Sequence, residues 1–160
     1  MSATDNIALM KRWFEEVWNH GRMETVRELL DENATGFGQA GHETEVHGPA
    51  EFIPFVQRIR GAFPDIRTTV EDAFGDDQRV AVRWSANMTH TGGDLGIPPT
   101  NRKAHVTGMT MVRIANGKII SGWDNWDQLA LMRQIGAVPE SHESHPKLIE
   151  KPNSQPSAAR

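Results

Sequence analysis

The sequence predicts an α+β domain in which three N-terminal helices lie against a curved antiparallel sheet. Three observations predict it. Apolar residues recur at helical spacing as far as Phe63 and alternate from Ile66 onward, so the period changes once along the chain. Asn116-Gly117 has the turn chemistry of a two-residue hairpin and joins two alternating runs. The strands follow the helices instead of interleaving with them, which marks α+β and not α/β.

The elements follow in order. Ile7, Met10, Phe14, Val17 and Trp18 form one stripe over Asp5–His20, with Thr4 or Asp5 as the cap and Gly21 as the stop. A second short helix over Met23–Asp31 buries Met23, Val26, Leu29 and Leu30. Thr35–Gly48 is glycine-rich and polar and reads as a loop with room for one short strand. Gly48-Pro49 opens a third helix, proline standing at its favoured first position, and Phe52, Phe55, Val56 and Ile59 make the stripe. Phe63-Pro64-Asp65 ends it.

Ile66, Thr68 and Val70 then alternate with polar residues, and Gly75-Asp76-Asp77 turns the chain. Arg79–His90 is the clearest strand, with Val80, Val82, Trp84, Ala86, Met88 and His90 on one face. A glycine- and proline-rich loop, Thr91–Lys103, leads to a strand over His105–Ile114. Its hairpin partner runs from Lys118 to Trp126, and a short helix follows over Asp127–Ile135, closed by Gly136. Residues 1–138 read as one domain. Residues 139–160 are proline-rich and polar and read as a flexible tail.

Composition narrows the function. The chain has 160 residues, 38% of them hydrophobic and 24% charged, as a domain with its own core does. It has no cysteine, so disulfides, thiolate nucleophiles and sulfur-ligated zinc are excluded. The net charge of −4 offers nothing to a phosphate backbone, and nucleic acid is not an expected partner. No apolar run approaches the roughly 20 residues of a membrane span, and the polar start Met1–Asn6 is not a secretion signal. A cytoplasmic location is the reading that fits.

Several runs resemble a known family. Ala62-Phe63-Pro64-Asp65-Ile66, Arg79-Val80-Ala81-Val82-Arg83-Trp84, Thr89-His90-Thr91-Gly92, Gly96-Ile97-Pro98-Pro99-Thr100, Gly117-Lys118-Ile119 and the stretch from Trp123 through Asp127 to Gln134-Ile135-Gly136 resemble the SnoaL-like polyketide cyclases. That family has the nuclear transport factor 2-like fold. The resemblance implies a conical pocket, oligomerisation through the sheet, and a small hydrophobic molecule as the ligand. For the family's cyclases it implies an intramolecular aldol condensation without metal or organic cofactor, run by a strand-end aspartate with help from a histidine. The chain departs from the family pattern at Asn101, often glycine, and at Ser121, often acidic.

Aldol closure needs a base to remove a proton alpha to a carbonyl and donors to hold the enolate oxygen. A carboxylate in an apolar pocket suits the first role, because desolvation raises its pKa. Asp127 matches the family's aspartate and by alternation shares the more apolar face with Ile119, Trp123 and Asn125; it is equally a good cap for the last helix. Asp124 would then face the other way and stands second. His90 ends the apolar face of its strand. His105 shares a face with Asp124 on strict alternation, unless Gly108 marks a bulge that reverses the phase.

Trp84 and Trp123 are the expected aromatic walls, with Phe14, Phe52, Phe55 and Met88 opposite, Asn125 on the pocket face and His47 at the mouth. His42, Glu43 and His47 lack the spacing of a helical zinc motif, and no metal site is expected. The Asp–Arg–Asp arrangement of an epoxide hydrolase is missing from the central strands. Two readings remain: a cofactor-free aldol-type cyclase or isomerase, and a non-catalytic module that uses the same pocket to bind small molecules or the sheet to assemble subunits.

Overall fold

The structure is a computed structural model that describes residues 1–40 and 44–139. His42 and Glu43 lie outside the described residues, as does the expected tail beyond Pro139. Helix α1 (Ala3–Trp13) begins two residues before the expected start. Ser2 caps it: the Ser2 hydroxyl accepts from the Asp5 N–H at 3.2 Å, and the Asp5 carboxylate accepts from the Ser2 N–H at 2.9 Å. The helix widens into a π-helical stretch, Phe14–Asn19, and Gly21 ends it at φ 67°. That wide turn aims Asn19 at the sheet, where it exchanges hydrogen bonds with the Thr68 backbone at 2.6 and 3.0 Å.

Helix α2 (Met23–Leu29) stops where Leu30 turns extended, and Leu30 begins a strand, β1 (Leu30–Phe37), in a segment expected to finish a helix and enter a loop. A three-residue strand, β2 (Glu45–His47), pairs with it antiparallel. Helix α3 (Gly48–Ala62) starts as predicted, with Pro49 in its first turn. Gly48 is required there: its φ is 58°, and a Cβ would meet the Glu32 carbonyl oxygen at 2.3 Å. Strands β3 (Arg67–Gly75), β4 (Arg79–Thr89), β5 (Lys103–Ala115) and β6 (Lys118–Trp126) form the antiparallel meander, and α4 (Gln128–Gln134) closes the domain. Asn101 takes a φ of 58°, a left-handed conformation that asparagine tolerates where the family often has glycine.

The sheet has six strands in the order β2-β1-β6-β5-β4-β3. It is not wholly antiparallel, because β1 runs parallel to β6. α1, α2 and α3 cover one face of this curved, unclosed sheet. Met10, Val17 and Val56 from the helices meet Val80 and Val82 of β4, all fully or almost fully buried. A second cluster joins Phe63, Ala86, Val106, Leu131 and Ile135 at the other end, and Trp84 packs against both. Among the described residues no helix is long and apolar enough to cross a membrane.

The register of the last hairpin places the site. Ala115 pairs with Lys118 and Ile114 with Ile119, as counting back from the turn predicts. Arg113 then pairs with Ser121, so Ile120 is an extra residue, a β-bulge. Beyond it the phase of β6 is reversed. Gly122, Asp124 and Trp126, opposite Val112, Thr110 and Gly108, turn toward the helices, while Trp123 and Asn125 turn away.

Candidate functional site

Between the helices and the sheet lies a cavity of about 110 Å³, counted as the space open to the centres of water-sized molecules. Its walls are aromatic and aliphatic. Trp13, Phe14 and Trp18 come from the first helix, Phe52 and Phe55 from α3, and Trp84 and Met88 from β4. The rings pack on one another, Trp13 on Phe52 at 5.3 Å and Phe14 on Trp84 at 6.1 Å between centroids. Trp84, Phe14, Phe52, Phe55 and Met88 therefore line the cavity as expected from the sequence.

Asp124 is the one ionisable side chain among the described residues of this wall. The Thr110 hydroxyl donates to its Oδ1, and the Gln39 Nε2 amide donates to its Oδ2 at 2.7 Å. Behind Thr110, the Trp84 indole N–H donates to the hydroxyl at 3.0 Å, which directs the hydroxyl proton onto the carboxylate. The Trp126 indole N–H donates to the Gln39 carbonyl at 3.1 Å and ties that segment down. Burial pushes the Asp124 carboxyl above the ordinary aspartate range, against the opposing pull of the Thr110 and Gln39 donors. A carboxyl so placed can both take and return a proton.

The other predicted residues sit elsewhere. Asp127 is exposed and caps α4, accepting the Ala130 N–H at 2.9 Å. The bulge at Ile120 is the reason, since it turns the whole Trp123–Asn125–Asp127 row to the outer face. His105 is on that face too, its Nδ1 2.9 Å from the Asn87 Oδ1, and it lines a shallow outer groove with Asn125 and Asp127. His105 and Asp127 thus share a face, as a phase reversal requires, but the bulge is in β6 and not at Gly108, and the face is the outer one. Trp123 stacks on Phe37 at 5.8 Å and 14°, also away from the cavity.

His90 is fully buried but does not line the cavity. It lies past the end of β4, under Phe63 at 5.5 Å, where its Nδ1 accepts the Thr100 N–H at 3.2 Å. It anchors the loop before β5. His47 is exposed at the start of α3, with its Nε2 3.5 Å from Glu45 Oε2. No histidine lines the cavity among the described residues, and none of the described His, Asp and Glu side chains form a group that could hold a metal ion.

Sequence reasoning missed Gln39, Thr110 and Trp126. Thr110 carried a usable signal, because it shares the inward face of β5 with Val106 and Val112. Trp126 was hidden by the bulge. Gln39 follows two glycines in a segment with no periodicity, and only the folded chain brings it to Asp124.

Comparison with known proteins identifies the family. The SnoaL-like polyketide cyclase family matches residues 8–135. The aklanonic acid methyl ester cyclases DauD of Streptomyces sp. (strain C5) and DnrD of Streptomyces peucetius are each 28% identical over 131 residues. That is 81% of this chain, and 81% and 90% of theirs. Among solved structures, IdmH from Streptomyces antibioticus, described as a polyketide cyclase, superposes with a TM-score of 0.70 at 29% identity, covering 81% of this chain and 96% of its own. A protein of Jannaschia sp. CCS1, described as a SnoaL-like polyketide cyclase, gives 0.76 at 26% identity, over 86% of this chain and 95% of its own. With a family match that spans most of its length, this chain belongs to the SnoaL-like polyketide cyclases.

Proposed function

We propose that this protein is a cofactor-independent cyclase that closes a ring in a hydrophobic, carbonyl-bearing polyketide by intramolecular aldol condensation. The observation that carries the reading is Asp124, among the described residues the one ionisable group in an aromatic cavity, its pKa raised by burial and its oxygens oriented by Thr110 and Gln39. In this mechanism the Asp124 carboxylate removes a proton alpha to one carbonyl. The resulting enolate carbon attacks a second carbonyl of the same molecule, forming the C–C bond. The new alkoxide takes the proton back from Asp124, so the carboxylate is regenerated and the product is an isomer of the substrate. Tryptophan and phenylalanine walls hold a flat, apolar chain in the folded conformation that brings the two carbons together. Asp124 replaces Asp127 as the acid/base, and among the described residues no histidine assists it from the cavity wall.

The first substrate to test is aklanonic acid methyl ester, named for both Streptomyces relatives. Turnover by the wild-type chain is expected to fall by about 10²–10⁴-fold in Asp124→Asn, the usual contribution of a positioned acid/base, and to survive in Asp127→Ala. Undiminished turnover in Asp124→Asn would sink the assignment.

A further inference from the structure

We infer that Gln39 is a positioning residue for Asp124, and that Gly36, by carrying no side chain, leaves the room its amide needs there. The inference rests on reading Asp124 as the proton-moving group and deepens that reading. Gln39 is 6% exposed, and its Nε2 donates to Asp124 Oδ2 at 2.7 Å from 85 positions away in the chain. Its own Oε1 is buried with no hydrogen-bond partner. A half-satisfied buried amide is a poor structural choice, because an unpaired buried acceptor loses its hydration with nothing in return. What the position retains is the donor, and that donor is spent on the carboxylate.

The carboxamide lies flat over Gly36. A Cβ at Gly36 would stand 2.7 Å from Nε2, 3.0 Å from Cδ and 3.1 Å from Oε1 of Gln39. Gly36 has no positive φ, so a side chain there would disturb only the movable end of Gln39, displacing its carboxamide. At Gly38, with φ 83°, a Cβ would come within 2.1 Å of the Asp124 carbonyl oxygen. Gly38 lets the segment after β1 press directly on β6 at Asp124. From the other side the Trp126 indole fixes the Gln39 carbonyl at 3.1 Å. Backbone and side chain of Gln39 are thus held separately, leaving the amide one place to donate.

Among the described residues the groups around Asp124 are neutral: Gln39 from the segment after β1, Thr110 from β5, Trp84 from β4 and Trp126 from β6. Gln39→Met removes no charge, so a change in the Asp124 titration in that variant reports the lost hydrogen bond. The test is carboxyl-carbon NMR of the full chain labelled at aspartate, with the Asp124 signal assigned by its loss in Asp124→Asn. In Gln39→Met the apparent pKa of Asp124 is expected to rise by about one to two pH units, the worth of one hydrogen bond to a charged acceptor. Gly36→Ala, which keeps every atom of Gln39 but displaces its amide, is expected to move it the same way.

A merely structural glutamine would lower the melting temperature of Gln39→Met and leave the Asp124 titration unmoved; that result overturns the inference. An unmoved titration in folded Gly36→Ala overturns the part assigned to Gly36. Because the signal is read from the carboxyl itself, it stands or falls separately from the turnover test of Asp124→Asn.

Discussion

Asp124→Asn is expected to stabilise the protein at neutral pH while sharply slowing its chemistry. The sign follows from linkage. Burial raises the folded-state pKa of Asp124 above its unfolded value. Its protonated form is therefore favoured in the fold. The contribution is fully present below the unfolded pKa, about 3.9 for aspartate, and is lost as pH rises through the folded value. Asparagine is neutral throughout and escapes that loss. It also fits: its Nδ2 would oppose the Gln39 Nε2, but a flip of the Gln39 amide offers the Oε1 that has no partner in the wild type. Each unit of pKa elevation corresponds to about 1.4 kcal/mol, and each kcal/mol to about 4 °C of melting temperature in a domain of this size. The assay is thermal unfolding of both proteins from pH 3 to 8. The variant should gain little or nothing at pH 3 and several degrees at pH 8, with the gain opening above pH 4. A constant loss of melting temperature at every pH would mean that the carboxylate is a structural linchpin, and would refute the argument.

Three further outcomes are expected. Asp127→Ala removes the cap of α4 and should cost about 1 kcal/mol in urea denaturation, since Asp127 accepts the Ala130 N–H and does not reach the cavity. Gly48→Ala should cost more than the roughly 1 kcal/mol of a left-handed non-glycine residue, because its Cβ would collide with the Glu32 carbonyl; the same denaturation series reads it. We also propose a homo-oligomer assembled on the outer sheet face, where Met109 is 61% and Met111 46% exposed. Met109→Glu should lower the mass measured by light scattering, and an unchanged mass would remove that face from the interface.

How much of this was legible in the sequence depended on whether the signal was local. The helices and β4 to β6 declare themselves through period, caps and the Asn116-Gly117 turn, all properties of neighbouring residues. β1 does not. Asp31, Glu32 and Asn33 neither alternate nor favour strands, and the strand is defined by pairing at its ends, Leu30 with β6 and Thr35–Phe37 between β2 and β6. The apolar lining was legible at Trp84 and Met88, where β4 is regular, and at Phe14, Phe52 and Phe55, where helical stripes face inward. It failed at Trp123, where the strand is not regular.

That failure and the choice of the wrong aspartate have one cause. Isoleucine at position 120 is an ordinary strand residue, and nothing in its type announces a bulge. Its presence shifts every later residue of β6 to the opposite face. Strict alternation from Ile119 would carry Asp124 to the outer surface and bring Trp123, Asn125 and Asp127 to the cavity. With Ile120 inserted, Asp124 meets Thr110 and Gln39 inside, and Asp127 is free to cap α4 outside. The two aspartates, three residues apart and equivalent in composition, are given different chemistry by a single extra residue in the strand before them. A periodicity argument can name both carboxylates as candidates. Only the pairing of Arg113 with Ser121 decides which one titrates in an apolar cavity.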